Sequence, residues 1–127
     1  MKPLTQEWIE KAEGDFRTAG RELRAEQLPN YDAVCFHAQQ CAEKYLKARL
    51  QETDIPVPKI HDLTALLDLL LPHDPELEPL RFALGILTDY AVEVRYPGFT
   101  ADRAVAEEVY SLCEQVRQSI RHHLSLS

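Results

Sequence analysis

The stretch from Asn30 to Leu50 constrains the fold most, because its apolar residues recur at helical spacing on two sides. Gaps of three and four residues predict one buried stripe. This stripe consists of Tyr31, Val34, Ala38, Cys41 and Tyr45. Phe36 and Leu46 fall on a second apolar side together with Leu50. We therefore expect this helix to pack against more than one neighbour.

A polar stripe lies between the two apolar sides. At about 100° per residue, its members occupy about a quarter of the helix circumference. They are His37, Gln40, Lys44, Lys47 and Gln51. An amide and two ammonium groups on adjacent turns suit a phosphate or a carboxylate. The alternative is that Lys44 and Lys47 are solvated and pair with Glu43 or Gln51.

Amphipathic spacing predicts a further helix before this stretch. It begins with Thr5 as its N-cap and continues to about Gln27, since Leu28-Pro29-Asn30 breaks it. Asn30 can cap the central helix, which is expected to continue to about Glu52.

The middle of the chain is expected to be a connection that contains a short helix. Two prolines force an extended segment over residues 53–59. Asp62 can then cap a short helix that reaches about Leu71. After a proline-rich break, a long helix is predicted from Leu80 to Val94. Thr100 is the predicted cap of the last helix, with Asp102 in its first turn.

No alternating strand pattern occurs in the sequence. The pattern predicts an all-α protein, an up-and-down four-helix bundle with one short extra helix in the central connection. At 127 residues the chain is expected to form a single domain over its whole length. The apolar arc of the Leu80–Val94 helix is widened by Phe82, Ile86 and Tyr90. Such wide arcs exceed the needs of a monomer core, so we expect a homodimer.

The composition narrows the function classes. A net charge of −7 opposes general binding to DNA and to anionic membranes, so a nucleotide or RNA would need a local basic patch. An odd number of cysteines, three, fits a reducing cytoplasm. The first residues, MKPLTQEW, do not resemble a signal peptide. The apolar run 63–71 is too short to span a membrane.

His37 and Cys41 have the spacing of a helical zinc half-site. The remaining ligands would have to come from scattered positions, namely His61, Cys113, His122 and His123. A catalytic thiol is also disfavoured, because reactive cysteines need an exposed electropositive setting and Cys41 falls on the buried stripe. We therefore expect no metal and no cofactor, and a core cysteine beside a polar histidine.

Arg95 is the second candidate for binding an anion. It ends a long helix and precedes the turn Tyr96-Pro97-Gly98, which would hold the guanidinium beside a bundle end or groove. The alternative is that Arg95 complements the helix dipole and that Tyr96 packs.

Three segments together, FHAQQCAEKYLKA, IHDL and DYAVEVRYP, occur in this order along the chain. In this combination the chain resembles the HEPN (higher eukaryotes and prokaryotes nucleotide-binding) domain family over nearly its whole length. The resemblance implies a small helical bundle that dimerises through its long helices. It also implies a partner, since prokaryotic members are often encoded beside a minimal nucleotidyltransferase as a toxin–antitoxin-like pair.

Many HEPN proteins are metal-independent ribonucleases whose motif is an arginine followed, after four to six residues, by a histidine. If Arg95 is that arginine, the matching positions are Thr100, Ala101 and Asp102, and none is histidine. The general base of that chemistry is therefore missing. His61 could replace it only if the fold brings it close.

The sequence thus predicts a dimeric partner of a nucleotidyltransferase that binds a nucleotide or RNA phosphate, with little or no enzymatic activity. The predicted phosphate contacts are Lys44, Lys47 and Arg95, and the residues predicted to shape the site are His37, Gln40 and Tyr96. Two alternatives stay open. One is a ribonuclease toxin with a rearranged site that uses Arg95 and His61, and the other is a purely structural dimeric module.

Overall fold

The computed structural model describes residues 1–126, so Ser127 of the predicted domain lies outside the described residues. This part of the chain contains helices and no strand. The helices are α1 (Pro3–Leu23), α2 (Tyr31–Glu52), α3 (Leu63–Leu70), a 3-10 helix (Pro75–Leu80), α4 (Arg81–Glu93) and α5 (Arg103–His123). The predicted class, four long helices with one short helix in the central connection, is confirmed.

Helix α2 lies at the centre of the bundle. It packs against α1, α3, α4 and α5, whereas α1 and α4 make no contact with each other within residues 1–126. The predicted stripe is buried: Val34, Ala38, Cys41 and Tyr45 are fully inaccessible to solvent, and Tyr31 is half-buried. Helices α1 and α4 therefore pack on different parts of the α2 surface.

The second apolar side of α2 is divided between the core and the surface. Leu46 and Leu50 are fully buried within the chain itself, and Phe36 is exposed. On α4, Phe82 is 76% exposed while Ile86 and Tyr90 are half-buried. Most of the second side therefore serves the chain's own bundle, and Phe36 and Phe82 remain on its surface.

Side-chain caps start three of the helices. Asn30 Oδ1 accepts from the backbone N–H of Ala33 at 3.0 Å, and Asp62 Oδ1 accepts from that of Thr64 at 3.0 Å, both as predicted. The prediction of Thr100 as the last cap is wrong. Asp102 takes that role by accepting from the backbone N–H of Val105 at 2.8 Å, because an aspartate directly before the helix satisfies a free N–H.

The first helix begins earlier and ends earlier than predicted. It starts at Pro3, a residue whose fixed φ suits the first helical position, so Thr5 is a buried helical residue and not the N-cap. It ends at Leu23, four residues before Gln27. The 3-10 helix Pro75–Leu80 also precedes α4, which begins at Arg81. No helix within residues 1–126 is long and apolar enough to cross a membrane.

Candidate functional site

The polar stripe of α2 separates into two clusters in the structure. The first is centred on Asp15 of α1. His37 Nδ1 donates to Asp15 Oδ1 at 2.8 Å, and Lys44 Nζ donates to Asp15 Oδ2 at 2.5 Å. The three side chains are mostly buried, with the Asp15 carboxylate shared between two cations or donors. Lys44 is therefore held on the α1 side of α2.

The second cluster is centred on Glu43 of α2. Lys47 Nζ donates to Glu43 Oε2 at 3.1 Å, and the two residues are only 5% and 4% exposed. Gln39 Nε2 donates to Glu43 Oε1 at 3.2 Å and to the backbone carbonyl of His61 at 2.9 Å. Gln40 Nε2 donates to Gln39 Oε1 at 2.8 Å and so extends the network. Of the two roles considered for Lys47, the structure shows pairing with Glu43.

His61 is the exposed end of this second cluster. Its Nδ1 lies 2.9 Å from Glu43 Oε1, and 68% of its side chain is accessible to solvent. A carboxylate can only accept, so Nδ1 carries the proton and Nε2 presents its lone pair to solvent when the ring is neutral. The result is an imidazole oriented by a buried carboxylate.

Arg95 and Tyr96 lie in the turn after α4. Both are exposed, and Tyr96 is 63% accessible. Within residues 1–126 the Arg95 guanidinium has no hydrogen bond or ion pair, while its backbone N–H donates to Val92. Gly98 follows with a φ of +103°, a conformation that favours glycine. The turn therefore presents an unpaired guanidinium and, at the next position in the sequence, an exposed aromatic side chain.

Lys44 and Arg95 do not meet in the structure. The connection that follows Arg95 packs at the start of α2, where Asp32 Oδ1 accepts from the backbone N–H of Ala101 at 2.7 Å. Lys44 lies twelve residues after Asp32, roughly 18 Å further along the helix axis. It also faces α1, on the side of α2 that α4 does not contact.

The segment that follows His61 packs against α4. The backbone N–H of Leu63 donates to Thr88 Oγ1 of α4 at 3.2 Å, which holds the segment after His61 against this helix. Arg95 follows Thr88 by seven residues but lies beyond the end of α4 at Glu93, so helical geometry does not fix the direction of its side chain. The His61 ring is held by Glu43, eleven residues after Asp32, and thus roughly 16 Å along α2 from the point where the connection after Arg95 packs.

The residues around possible metal ligands do not favour a metal. Asp74, Glu76 and His123 place ligand atoms within 4.8 Å of one another. Both carboxylate oxygens of Asp74 already accept from Arg49, at 2.7 Å from Nε and 3.0 Å from Nη2, and such a guanidinium opposes a cation.

The zinc half-site spacing of His37 and Cys41 on α2 does not form a metal site either. Cys41 is fully buried, and its interaction with the Cys113 thiol, together with burial, raises its pKa well above the usual range. Metal ligation needs a thiolate, so this cysteine is a poor ligand. His37 is turned toward Asp15. The interpretation of Cys41 as a core residue agrees with its burial.

A profile of the HEPN domain matches residues 5–123, nearly the whole chain. The chain belongs to the HEPN family. The three segments that carried the resemblance correspond to the central helix, the start of α3 and the end of α4. No curated protein matches the HEPN chain.

Two solved structures resemble this HEPN protein. TT1696 from Thermus thermophilus superposes with a TM-score of 0.80 at 28% identity, over 93% of this chain and 96% of that one. ST0689, described as an archaeal HEPN homologue, gives a TM-score of 0.73 at 24% identity, over 97% and 98% of the two chains. Both likenesses support the helical bundle as the fold.

Sequence reasoning missed several residues of the polar clusters. Asp15, Gln39 and Glu43 were not among the predicted site residues, although Glu43 was considered as a partner of Lys47. The i, i+4 spacing of Gln39, Glu43 and Lys47 is a signal in the sequence. Asp15 carries no such signal, because it meets His37 and Lys44 only when α1 packs on α2.

Proposed function

We propose that this HEPN chain binds the phosphate of a nucleotide or RNA at the turn after α4, with Arg95 and Tyr96 as its contacts. The observation that carries the proposal is the exposed Arg95 side chain, which has no ion pair within residues 1–126 and is followed in sequence by the exposed Tyr96. Guanidinium groups bind phosphate through paired hydrogen bonds, and aromatic rings stack on bases. In a chain of net charge −7, such a local cation is needed.

The lysines of α2 have smaller roles in this proposal. Lys47 is neutralised by Glu43 in a buried pair, so a phosphate would have to break that pair to reach it. Lys44 is less buried, and it could contact a ligand only after leaving Asp15. His37 and Gln40 would then shape the region around Lys44. These four positions remain predicted ligand contacts, secondary to the turn.

As its biological role, we propose that the protein is a homodimer and the partner of a minimal nucleotidyltransferase in a toxin–antitoxin-like pair in the cytoplasm. The homodimer is supported by exposed apolar side chains on two adjacent helices, Leu69 of α3 with Phe82 and Val92 of α4. Sedimentation that gives a monomer mass at micromolar concentration would contradict it. Co-purification with the product of a neighbouring nucleotidyltransferase gene tests the partnership.

The binding experiment is a calorimetric titration with ATP and with a short single-stranded RNA. Replacing Arg95 by alanine is expected to weaken binding by roughly tenfold or more, because a charge-assisted hydrogen bond is lost. Tyr96→Ala is expected to weaken RNA binding through lost stacking. Arg81→Ala is the control, since Arg81 lies at the opposite end of α4 from the turn and pairs with Asp68 and Glu78. A wild-type titration without heat would favour a purely structural dimeric module.

A second candidate function, a metal-independent ribonuclease, is favoured by the Glu43–His61 pair. An oriented imidazole with a free Nε2 has the geometry of a general base, and Arg95 would hold the scissile phosphate in this candidate function. An RNA-cleavage assay in a chelator separates the two functions. Cleavage that is lost in both His61→Ala and Arg95→Ala supports the ribonuclease, and intact RNA with wild-type protein supports binding alone.

A further inference from the structure

A second concave surface lies away from the Arg95 turn, between the first half of α1, the last turns of α2 and the proline connection. Its volume is about 430 Å³. The apolar part of its lining consists of Leu4, Trp8, Val57 and Pro58. Leu4 is 52% exposed, so this apolar surface is open to solvent. We call this surface the Trp8 groove.

The chain holds the walls of the Trp8 groove in place. Lys2 joins the start of α1 to the end of α2, because its backbone N–H donates to Glu52 Oε1 at 3.2 Å and its ammonium pairs with Asp54. The backbone N–H of Ile55 donates to the Leu50 carbonyl at 3.0 Å, and prolines restrict the chain that follows. The groove is therefore formed before any ligand binds, as small-molecule sites usually are.

The lining of the groove carries more positively than negatively charged side chains. Three of the chain's five lysines line it, namely Lys11, Lys47 and Lys59, against one acid, Glu7. Lys47 forms the inner wall, with its Nζ 5.8 Å from the centre of the Trp8 ring, and Glu43 offsets its charge. Lys11 and Lys59 are exposed and have no ion pair within residues 1–126. The rim is thus net positive on a chain of net charge −7.

From these observations we propose that the Trp8 groove binds a small molecule with an aromatic or branched apolar body and one carboxylate. The apolar body lies on Trp8, Val57 and Pro58, and the carboxylate lies between Lys11 and Lys59. The volume falls in the range of small-molecule pockets, roughly 300–1,000 Å³. The two unpaired lysines would repel a cationic ligand, and a neutral molecule would leave them without a counter-charge.

The proposal goes beyond phosphate binding at Arg95, since the groove contains neither Arg95 nor Tyr96, and Lys47, a secondary contact in the phosphate proposal, is the one residue common to both. The Arg95 turn packs at the start of α2, whereas the groove is lined by Lys47 and Gln51 near its end. Failure of one site in an experiment therefore leaves the other unaffected.

Trp8 supplies the readout, because it is the only tryptophan in the chain. Its emission, excited at the red edge of indole absorption, is followed while phenylbutyrate, phenylbutyramide or phenylbutylamine is added to the full-length protein. These probes share one apolar body and carry a negative, zero or positive charge. We expect a saturable change with phenylbutyrate, and binding that is at least several-fold weaker for the amide and the amine.

Paired variants separate the groove from general charge effects. Lys11→Gln with Lys59→Gln is expected to weaken phenylbutyrate binding by roughly three- to tenfold. Arg21→Gln with Arg103→Gln removes the same charge at exposed positions outside the lining of the groove and is expected to leave phenylbutyrate binding unchanged. Equal affinity for the amide, an equal loss in both double variants, or no saturable change would overturn the proposal. So would Trp8 emission that depends on protein concentration alone, because a second copy would then cover the groove.

Discussion

Arg117 of α5 and Glu13 of α1 are joined by two hydrogen bonds of 2.7 Å, one from Nε and one from Nη2. The hydroxyl of Tyr45, from α2, donates to the same carboxylate at 2.5 Å and accepts from Arg121 Nη1 at 3.1 Å. One carboxylate therefore connects the three long helices α1, α2 and α5. The hydrogen bonds from Arg117 lower the pKa of Glu13 to about 2.

We predict that Glu13 makes stability dependent on acid pH. Its pKa is lower in the folded protein than in the unfolded chain, so its contribution is complete above about pH 4.5 and is lost as the pH falls toward about 2. Solvent screening at this partly exposed site reduces the contribution to roughly 1–2 kcal/mol. The free energy of unfolding, measured with urea between pH 2 and 7, should decrease less steeply toward acid pH in Glu13→Gln than in the wild type.

The control for this experiment is Glu7→Gln, also on α1. Glu7 is exposed and has no ion pair within residues 1–126. Its replacement should leave the decrease in the free energy of unfolding at acid pH as steep as in the wild type. An equally steep decrease in Glu13→Gln would show that the hydrogen bonds from Arg117 do not stabilise the fold.

Arg49 and Arg81 allow a comparison of a buried and an exposed ion pair. Arg49 binds both oxygens of Asp74, which is only 3% exposed, and also donates to the His123 carbonyl at 2.9 Å. Arg49→Leu leaves a buried carboxylate without its cation, so we expect a loss of about 3–5 kcal/mol in the free energy of unfolding. Arg81→Leu should change it far less, because the Arg81 pairs are on the surface. Similar losses in the two variants would contradict the conclusion that the buried Asp74 carboxylate needs Arg49 as its counter-charge.

The Glu43–Lys47 pair should show strong coupling in a double-mutant cycle. Lys47→Met is expected to lower the free energy of unfolding by about 2–4 kcal/mol. The reason is that the buried Glu43 carboxylate loses its ammonium partner and keeps only Gln39 and His61 as donors. Adding Glu43→Gln should recover part of that loss, with a coupling energy of about 1–3 kcal/mol. Chemical denaturation of the four proteins measures it, and additive losses would mean that the two side chains do not interact.

We predict that the three cysteines react slowly in the folded protein. All three are buried, and burial raises the pKa of Cys35 to about 11. The Cys113 thiol and burial raise that of Cys41 as well. Since the thiolate is the reactive form, alkylation by iodoacetamide should require unfolding. Mass spectrometry after short labelling in buffer and in urea tests this, and rapid native labelling would be inconsistent with the packing of α2.

If the Arg95 turn binds RNA, its contribution should appear in the salt dependence. For single strands, each neutralised phosphate contributes about 0.7 to the slope of log affinity against log salt concentration. Arg95→Ala should therefore lower that slope by about 0.7, and Tyr96→Ala should weaken binding without changing it. Fluorescence anisotropy with labelled RNA at several salt concentrations measures both. Unchanged slopes in Arg95→Ala would place the phosphate elsewhere.

The helices could be predicted because their information is local. The spacing of Val34, Ala38 and Cys41 defines a buried stripe whatever the neighbouring helices are, and Asn30 caps α2 through a residue three positions away. The first residue of a helix was predicted wrongly where two nearby residues could each start it. Asp102 rather than Thr100 caps α5, and Pro3 rather than Thr5 begins α1.

The sequence by itself determined the helical bundle, the packing of α2 against several neighbours and the turn at residues 96–98. Only the tertiary structure decided the partners of the charged residues. Lys44 pairs with Asp15, 29 positions away, while Lys47 pairs with Glu43 inside the core. The physical reason is that the helical period fixes which side of a helix a charge lies on, whereas its partner depends on which helix packs there.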